Sequence, residues 1–182
     1  MKRWPNVRYS VSCTTRPPRP SEVNGKDYVF VSEVDFQTKA KNSEFIEWAR
    51  VHDYHYGTLR AQLMDDIRRG FDVVLDVDPH GAMSIKQAYP DSVAVYISPP
   101  DWESLEDRLR GRASDDEGTI AKRLANARKE MTHLQKYDYL IVNRDLGDAL
   151  EDLSAILRAE RRRIFRLSHE LDRLEIMEEE KA

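Results

Sequence analysis

Short apolar runs, set between stretches of helix-spaced apolar positions, organise this sequence. Val73-Val74-Leu75-Asp76-Val77 follows Gly70 and stops before Pro79, as a buried strand of a parallel sheet does. Ser92 to Ser98 and Tyr139-Leu140-Ile141-Val142 repeat the pattern and are expected near the centre of a sheet. Val7 to Cys13 reads as a further strand, and Tyr28 to Ser32 and His55 to Gly57 as short strands in a more irregular polar region. Helical spacing appears at Leu105 and Leu109 after Pro99-Pro100-Asp101, at Ile120, Leu124, Ala127 and Met131, and at Leu150, Leu153, Ile156 and Leu157. Strand and helix alternate, which predicts an α/β fold with a mainly parallel sheet and helices on both faces. A ligand site is then expected beyond the carboxyl ends of the strands, where Asp76 and Asp78 stand.

Composition narrows the class. With 182 residues and 21.3 kDa the chain can bury one core. Charged residues make up 34% and the net charge is −4, which argues against indiscriminate nucleic-acid binding while leaving room for a local phosphate site. No apolar run approaches the roughly 20 residues of a membrane span, and Met1-Lys2-Arg3-Trp4-Pro5-Asn6 lacks the apolar stretch of a secretion signal. A cytoplasmic protein is expected, with neither membrane nor nucleic acid as partner. The one cysteine, Cys13, suits a reducing compartment and reads as a small strand residue.

Candidate chemistry gathers in the first third. Arg16 and Arg19 flank Pro17 and Pro18, whose rings hold the two guanidinium groups within a narrow range of separations, suited to forking onto phosphate oxygens. Tyr28 and Tyr56 can add phenolic donors, and Gly57 lets the chain turn closely beneath a ligand. Glu47 stands among Phe45, Ile46 and Trp48. A fixed carboxylate there can accept from the adjacent N1–H and N2–H2 of guanine, whereas adenine offers an acceptor at N1. Discrimination of about 1 to 3 kcal/mol follows in a dry site. Ser12 and Thr58 supply hydroxyls and Asp78 a second acceptor. Singly, each has a plainer reading: solvated arginines, packing tyrosines, a glutamate on a helix surface.

Together, Ser10-Val11-Ser12, Thr14-Thr15-Arg16, Pro18-Arg19, Asp27-Tyr28-x-Phe30, Glu44-Phe45-x-Glu47-Trp48-Ala49, Tyr56-Gly57-Thr58 and Leu75-Asp76-Val77-Asp78-x-x-Gly81 closely resemble the guanylate kinase family. The likeness runs on through Pro99-Pro100, Leu105-x-x-Arg108-Leu109-x-Gly111-Arg112, Lys122-Arg123-Leu124-x-x-Ala127 and Tyr137-Asp138-Tyr139-x-Ile141-Val142-Asn143. It spans roughly residues 7 to 160. The resemblance implies a P-loop NTPase-like sheet with a small α+β GMP-binding lobe, about residues 12–70, and a helical lid, about 103–130. It implies phosphate binding by Arg16, Arg19, Tyr28 and Tyr56 and base reading by Ser12, Glu47, Thr58 and Asp78. Arg16, Arg108, Arg112 and Arg123 take the positions of catalytic arginines, the last three in the lid. Arg108 and Arg112, four apart, share a helical face. Asn143 resembles the position near the donor's adenine, and Asp76 the acid that orients magnesium-bound water. ATP with Mg2+ is the implied co-substrate, with GMP or its deoxy form as acceptor.

One expected element has no match. A phosphate-cradling loop reads G-x-x-x-x-G-K-[ST] between a strand and a helix. The seven glycines stand at 25, 57, 70, 81, 111, 118 and 147, and in the only Gly-Lys step, Gly25-Lys26, Pro20 and Asp27 occupy the other required positions. In related enzymes this loop, with a first strand and helix, precedes the Ser-Val-Ser strand. The chain is therefore expected to be a poor or inactive kinase by itself, and either to expose apolar strand edges or to re-pair the Val73 to Val77 and Ser92 to Ser98 strands. Three readings stay open: a guanylate kinase whose start falls at an internal methionine, a GMP-binding relative that has lost transfer, and an interaction module. Residues 161–182 read as a charged helical tail in which Ile164, Leu167, Leu171 and Leu174 form a short apolar seam, packed on the domain or on a sister chain.

Overall fold

The structure, a computed structural model, describes residues 4–51, 53–111 and 117–167. In chain order the elements are β1 (Val7–Tyr9), β2 (Cys13–Thr14), β3 (Val29–Phe30), α1 (Glu33–Lys41), β4 (Phe45–Val51), β5 (Tyr54–Leu59), α2 (Arg60–Arg68), β6 (Asp72–Val74), α3 (Pro79–Ala88), β7 (Val95–Ser98), α4 (Trp102–Arg110), α5 (Glu117–Met131), β8 (Tyr139–Val142) and α6 (Leu146–Glu160). Residue contacts divide the chain into two compact units, Met1–Ser92 and Val93–Ala182.

In the first unit, β1 pairs in parallel with β6, and a four-stranded sheet runs in the order β3-β2-β5-β4. Its ladder is parallel between β2 and β3 and antiparallel across β2, β5 and β4. The single strand expected over Val7 to Cys13 is two. After Tyr9 the Ser10 amide donates to Val74 O at 2.9 Å, and the chain then leaves β6 to enter the second sheet at Cys13. The run at Val73 keeps ladder pairing only as far as Val74, so Leu75 to Val77 form a connection ending at the cap of α3.

Alternation along β5 explains the lobe. Gly57 pairs with Cys13 and Leu59 with Phe45 on one face, whereas Tyr56 pairs with Thr14 and Thr58 with Glu47 on the other. The first face carries the core of Cys13, Phe36 and Phe45, joined by Val29, Val31, Ala40 and Leu59. Phe36 from α1 is fully buried and its ring stacks on Phe45 at 4.5 Å, which anchors the helix to the sheet. Helix α1 starts where Ser32 accepts the Asp35 amide and returns its hydroxyl to the Asp35 carboxylate, a capping arrangement written in Ser32-x-x-Asp35. A bulge between Phe45 and Glu47 changes the pairing by one residue. Without it Phe45 and Glu47, two apart, would share a face; with it Phe45 enters the core and Glu47 the opposite side.

In the second unit, β7 and β8 pair in parallel from Val95↔Tyr139 to Ser98↔Val142, α6 packs on β8, and α4 contacts α5. Asp101 caps α4 by accepting the Ser104 amide, and Asp145 caps α6 by accepting the Gly147 and Asp148 amides. Tyr139 donates its hydroxyl to the buried Glu160 at 2.7 Å, and Arg163 and Arg166 close on the same carboxylate, tying the end of α6 to β8. Beyond α6 the described chain makes one short turn of 3-10 helix, Ile164–Arg166; Leu171 and Leu174 of the expected tail seam lie outside the described residues. Among the described residues no helix is long and apolar enough to cross a membrane.

Candidate functional site

Glu47 is buried, and its placement follows from the bulge and from β5 beside it. The Thr58 hydroxyl, itself fully buried, donates to Glu47 Oε1 at 2.6 Å. The other oxygen faces the start of α3: a Cβ built on Gly81 would fall 2.7 Å from Glu47 Oε2 and 3.1 Å from Asp78 Oδ1. Gly81 is thus the gap into which both carboxylates fit. Burial pushes the Glu47 carboxyl above its ordinary pKa, the Thr58 bond opposes that, and the nearby Asp78 charge adds to it. Asp78 caps α3, with Oδ1 accepting the Gly81 amide at 2.8 Å, and Pro79 follows in the first helical position. The sequence signals of this cap, Asp then Pro, are local; the proximity to Glu47 is not.

Ser12 precedes β2, and its carbonyl accepts the Val29 amide at 2.9 Å. Tyr56 lies two residues before Thr58 on the same face of β5 and meets Tyr28 edge-on, ring centroids 6.0 Å apart. Arg16 lies beside them, its guanidinium 5.4 Å from the Tyr28 ring and 5.9 Å from Phe30, held protonated chiefly by its bond to Glu22 and secondarily by Tyr56. Burial raises the Tyr28 phenol above its usual pKa, and the charges of Tyr56 and then Asp76 add to that effect. Tyr9 shows the same response to burial and then to Asp76. Asp76 lies in the connection after β6 and not on the strand where it was expected, and its charge acts on the Tyr9 and Tyr28 phenols.

One residue near Arg16 escaped sequence reasoning. Glu22 Oε1 pairs with Arg16 Nη2 at 2.7 Å, and its Oε2 accepts the Arg19 amide at 2.7 Å. A carboxylate six residues from an arginine across a Pro-Pro step leaves no periodic signature. Strand β5 links the two ends of the cluster, Thr58 beside Glu47 and Tyr56 beside Arg16. A cavity of about 320 Å3 reaches Glu47 from the side of Ile46, Trp48, Arg60 and Ser84, and neither Arg16 nor Arg19 lines it. Among the described residues no group of three or more His, Cys, Asp or Glu side chains is placed to hold a metal. Cys13 lies in the core with its thiol pKa pushed up by burial, which makes it inert packing.

In the second unit Arg108, on α4, donates from Nη2 to Asn143 O at 2.8 Å. Both line a smaller cavity of about 180 Å3 with Ser98, Pro99 and Leu105, at the carboxyl ends of β7 and β8. Arg123 is half-buried on α5. Arg112, expected on the face of Arg108, lies outside the described residues.

A parallel β7-to-β8 crossover through helices and, in the other unit, a parallel β1–β6 pair interrupted by a mixed lobe make this an α/β protein, whose likeness to a solved structure given below assigns it a P-loop NTPase-like fold. The family model described as guanylate kinase matches residues 2–160. The chain is 43% identical to a guanylate kinase of Thermotoga maritima over 97% of its own length and 85% of the relative's. It is 48% identical to a guanylate kinase of Maricaulis maris over 91% of its length and 75% of that protein. The crystal structure of guanylate kinase from Anaplasma phagocytophilum superposes with a TM-score of 0.75 at 36% identity, covering 88% of this chain and 79% of that one. The chain belongs to the guanylate kinase family, ATP:GMP phosphotransferases.

Proposed function

We propose that the Met1–Ser92 unit binds GMP, with Glu47 reading the base and Arg16, Arg19, Tyr28 and Tyr56 holding the 5′ phosphate. The observation that carries this reading is the buried Glu47 carboxylate, which has one protein hydroxyl donor at 2.6 Å and is raised in pKa by its burial. A carboxylate kept dry with spare acceptor capacity favours a ligand that brings donors. Guanine brings two, N1–H and N2–H2, whereas adenine presents a lone pair at N1 against the negative charge. Ser12, Thr58 and Asp78 surround the base edge. At the other end the guanidinium of Arg16 and the phenols of Tyr28 and Tyr56 offer charge-assisted bonds to a phosphate.

Phosphorylation of GMP by ATP is the reaction read for a member of this family. Arg108, Arg112 and Arg123 neutralise charge on the transferring phosphoryl group, and Asn143 contacts the donor's adenine beside the cavity next to Arg108. Bound Mg2+ supplies charge neutralisation on the phosphates; Asp76 suits it through water, since this ion keeps several waters and takes only one or two carboxylates. No G-x-x-x-x-G-K-[ST] stretch occurs in the 182 residues, so these residues alone are expected to bind GMP well and to form GDP slowly. Calorimetric titration tests the core of the proposal. Saturable heat with GMP and none with AMP is expected, and equal or absent heats would end it. A coupled assay with ATP and GMP on the same preparation then measures transfer.

A further inference from the structure

The segment from Arg16 to Tyr28 is pinned by side-chain carboxylates and an amide on backbone N–H groups. Asp27 Oδ2 accepts the Val23 amide at 2.7 Å and Asn24 Oδ1 the Phe30 amide at 2.9 Å. Glu22 is the member that also reaches a functional side chain. Its Oε1 takes Arg16 Nη2 while its Oε2 takes the Arg19 amide, and its own amide donates back to Arg19 O at 3.0 Å. Side-chain exposure is 13% for Arg16 and 13% for Glu22, so the pair is shielded from water on most sides. Arg16 Nη1 is held as well, donating to Pro17 O at 2.7 Å. Tyr56 is a further partner of this guanidinium, which stands 5.4 Å from the Tyr28 ring.

We propose that Glu22 is a positioning residue of the GMP phosphate arm, splinting the Arg16 guanidinium to the Arg19 main chain so that the arginine meets the phosphate already aimed. This rests on the GMP reading above. The alternative, a carboxylate that merely occupies the phosphate position until displaced, fits less well. Glu22 closes a reciprocal pair of bonds with Arg19, and leaving the site would dismantle the turn that presents both arginines. An unsplinted Arg16 must lose rotamer freedom when it binds, which weakens phosphate binding without touching the base.

The test uses Glu22→Ala and Glu22→Gln with two ligands, GMP and guanosine, by calorimetry. Glu22→Ala is expected to weaken GMP about tenfold and to leave guanosine unchanged, with Glu22→Gln in between because its amide oxygen keeps one acceptor. Equal weakening of both ligands would show a merely structural role, and tighter GMP binding would show a competing anion; either overturns the proposal. A ligand-free readout separates this inference from the functional one. The Arg16 side-chain N–H signals and Arg19 amide exchange, followed by NMR, should lose protection in Glu22→Ala. Unchanged protection sinks the splint even if GMP binds, whereas absent GMP binding by the wild type, with protection lost in the variant, would sink the GMP reading and the phosphate-positioning role while leaving the Glu22 contact with Arg16 and Arg19 standing.

Discussion

Replacing Glu47 by Gln separates what the buried carboxylate does for the ligand from what it does to the fold. Gln keeps the volume, and its amide oxygen can still accept the Thr58 hydroxyl bonded at 2.6 Å. Its amide nitrogen then replaces Oε2, the oxygen at the Gly81 gap beside Asp78. Against guanine, one charge-assisted acceptor is lost and a donor faces a donor. The loss is about 2 to 3 kcal/mol, roughly 30- to 150-fold in Kd for GMP. Discrimination between GMP and IMP, which lacks the N2 amine, should narrow as well. The effect on the empty protein has the opposite sign. Because burial raises the Glu47 pKa in the folded state, the fold holds this proton more firmly than the unfolded chain does. Its contribution to stability is fully present below the ordinary carboxylate pKa and is lost as pH rises through the raised value. Melting curves should therefore show wild type falling behind Glu47→Gln as pH goes from acid to neutral, with the gap closing again on acidification. GMP titrations and a melt series across that pH window measure both halves. A variant that keeps GMP affinity within about threefold and the same GMP/IMP ratio would refute the base-reading role. A melting difference independent of pH would refute the burial penalty.

Three further outcomes follow from the same geometry. Gly81→Ala would place a Cβ 2.7 Å from Glu47 Oε2, so GMP affinity measured by calorimetry should drop about tenfold or more while the melting temperature changes little. Asp78→Ala removes the cap of α3 and should lower stability by about 1 kcal/mol in urea unfolding, whereas Asp78→Asn, a good cap, should keep stability and weaken GMP. Phe36→Ala empties a fully buried site stacked at 4.5 Å on Phe45 and should lower unfolding free energy by roughly 3 to 5 kcal/mol, measured in urea.

Much of this was local and therefore legible in order along the chain. The strands at Val95 and Tyr139, the helices capped by Asp101 and Asp145, and the parallel α/β class all follow from apolar period and capping residues, which act over a few residues. The residue types suited to guanine and phosphate were readable too, because a carboxylate, two arginines and two tyrosines announce their chemistry wherever they sit. Tertiary structure alone decided how they meet. Periodicity could not show that a bulge before Glu47 turns Phe45 into the core and Glu47 away from it, since a one-residue slip leaves composition unchanged. Nor could it break the Val7 to Cys13 run between two sheets, because that depends on which partner supplies the next hydrogen bond. The Gly81 gap belongs to the same class, since it exists only where the start of α3 closes on β4 to within van der Waals range, whereas the Arg16–Glu22 pair, six residues apart, depends on how the turn between them folds.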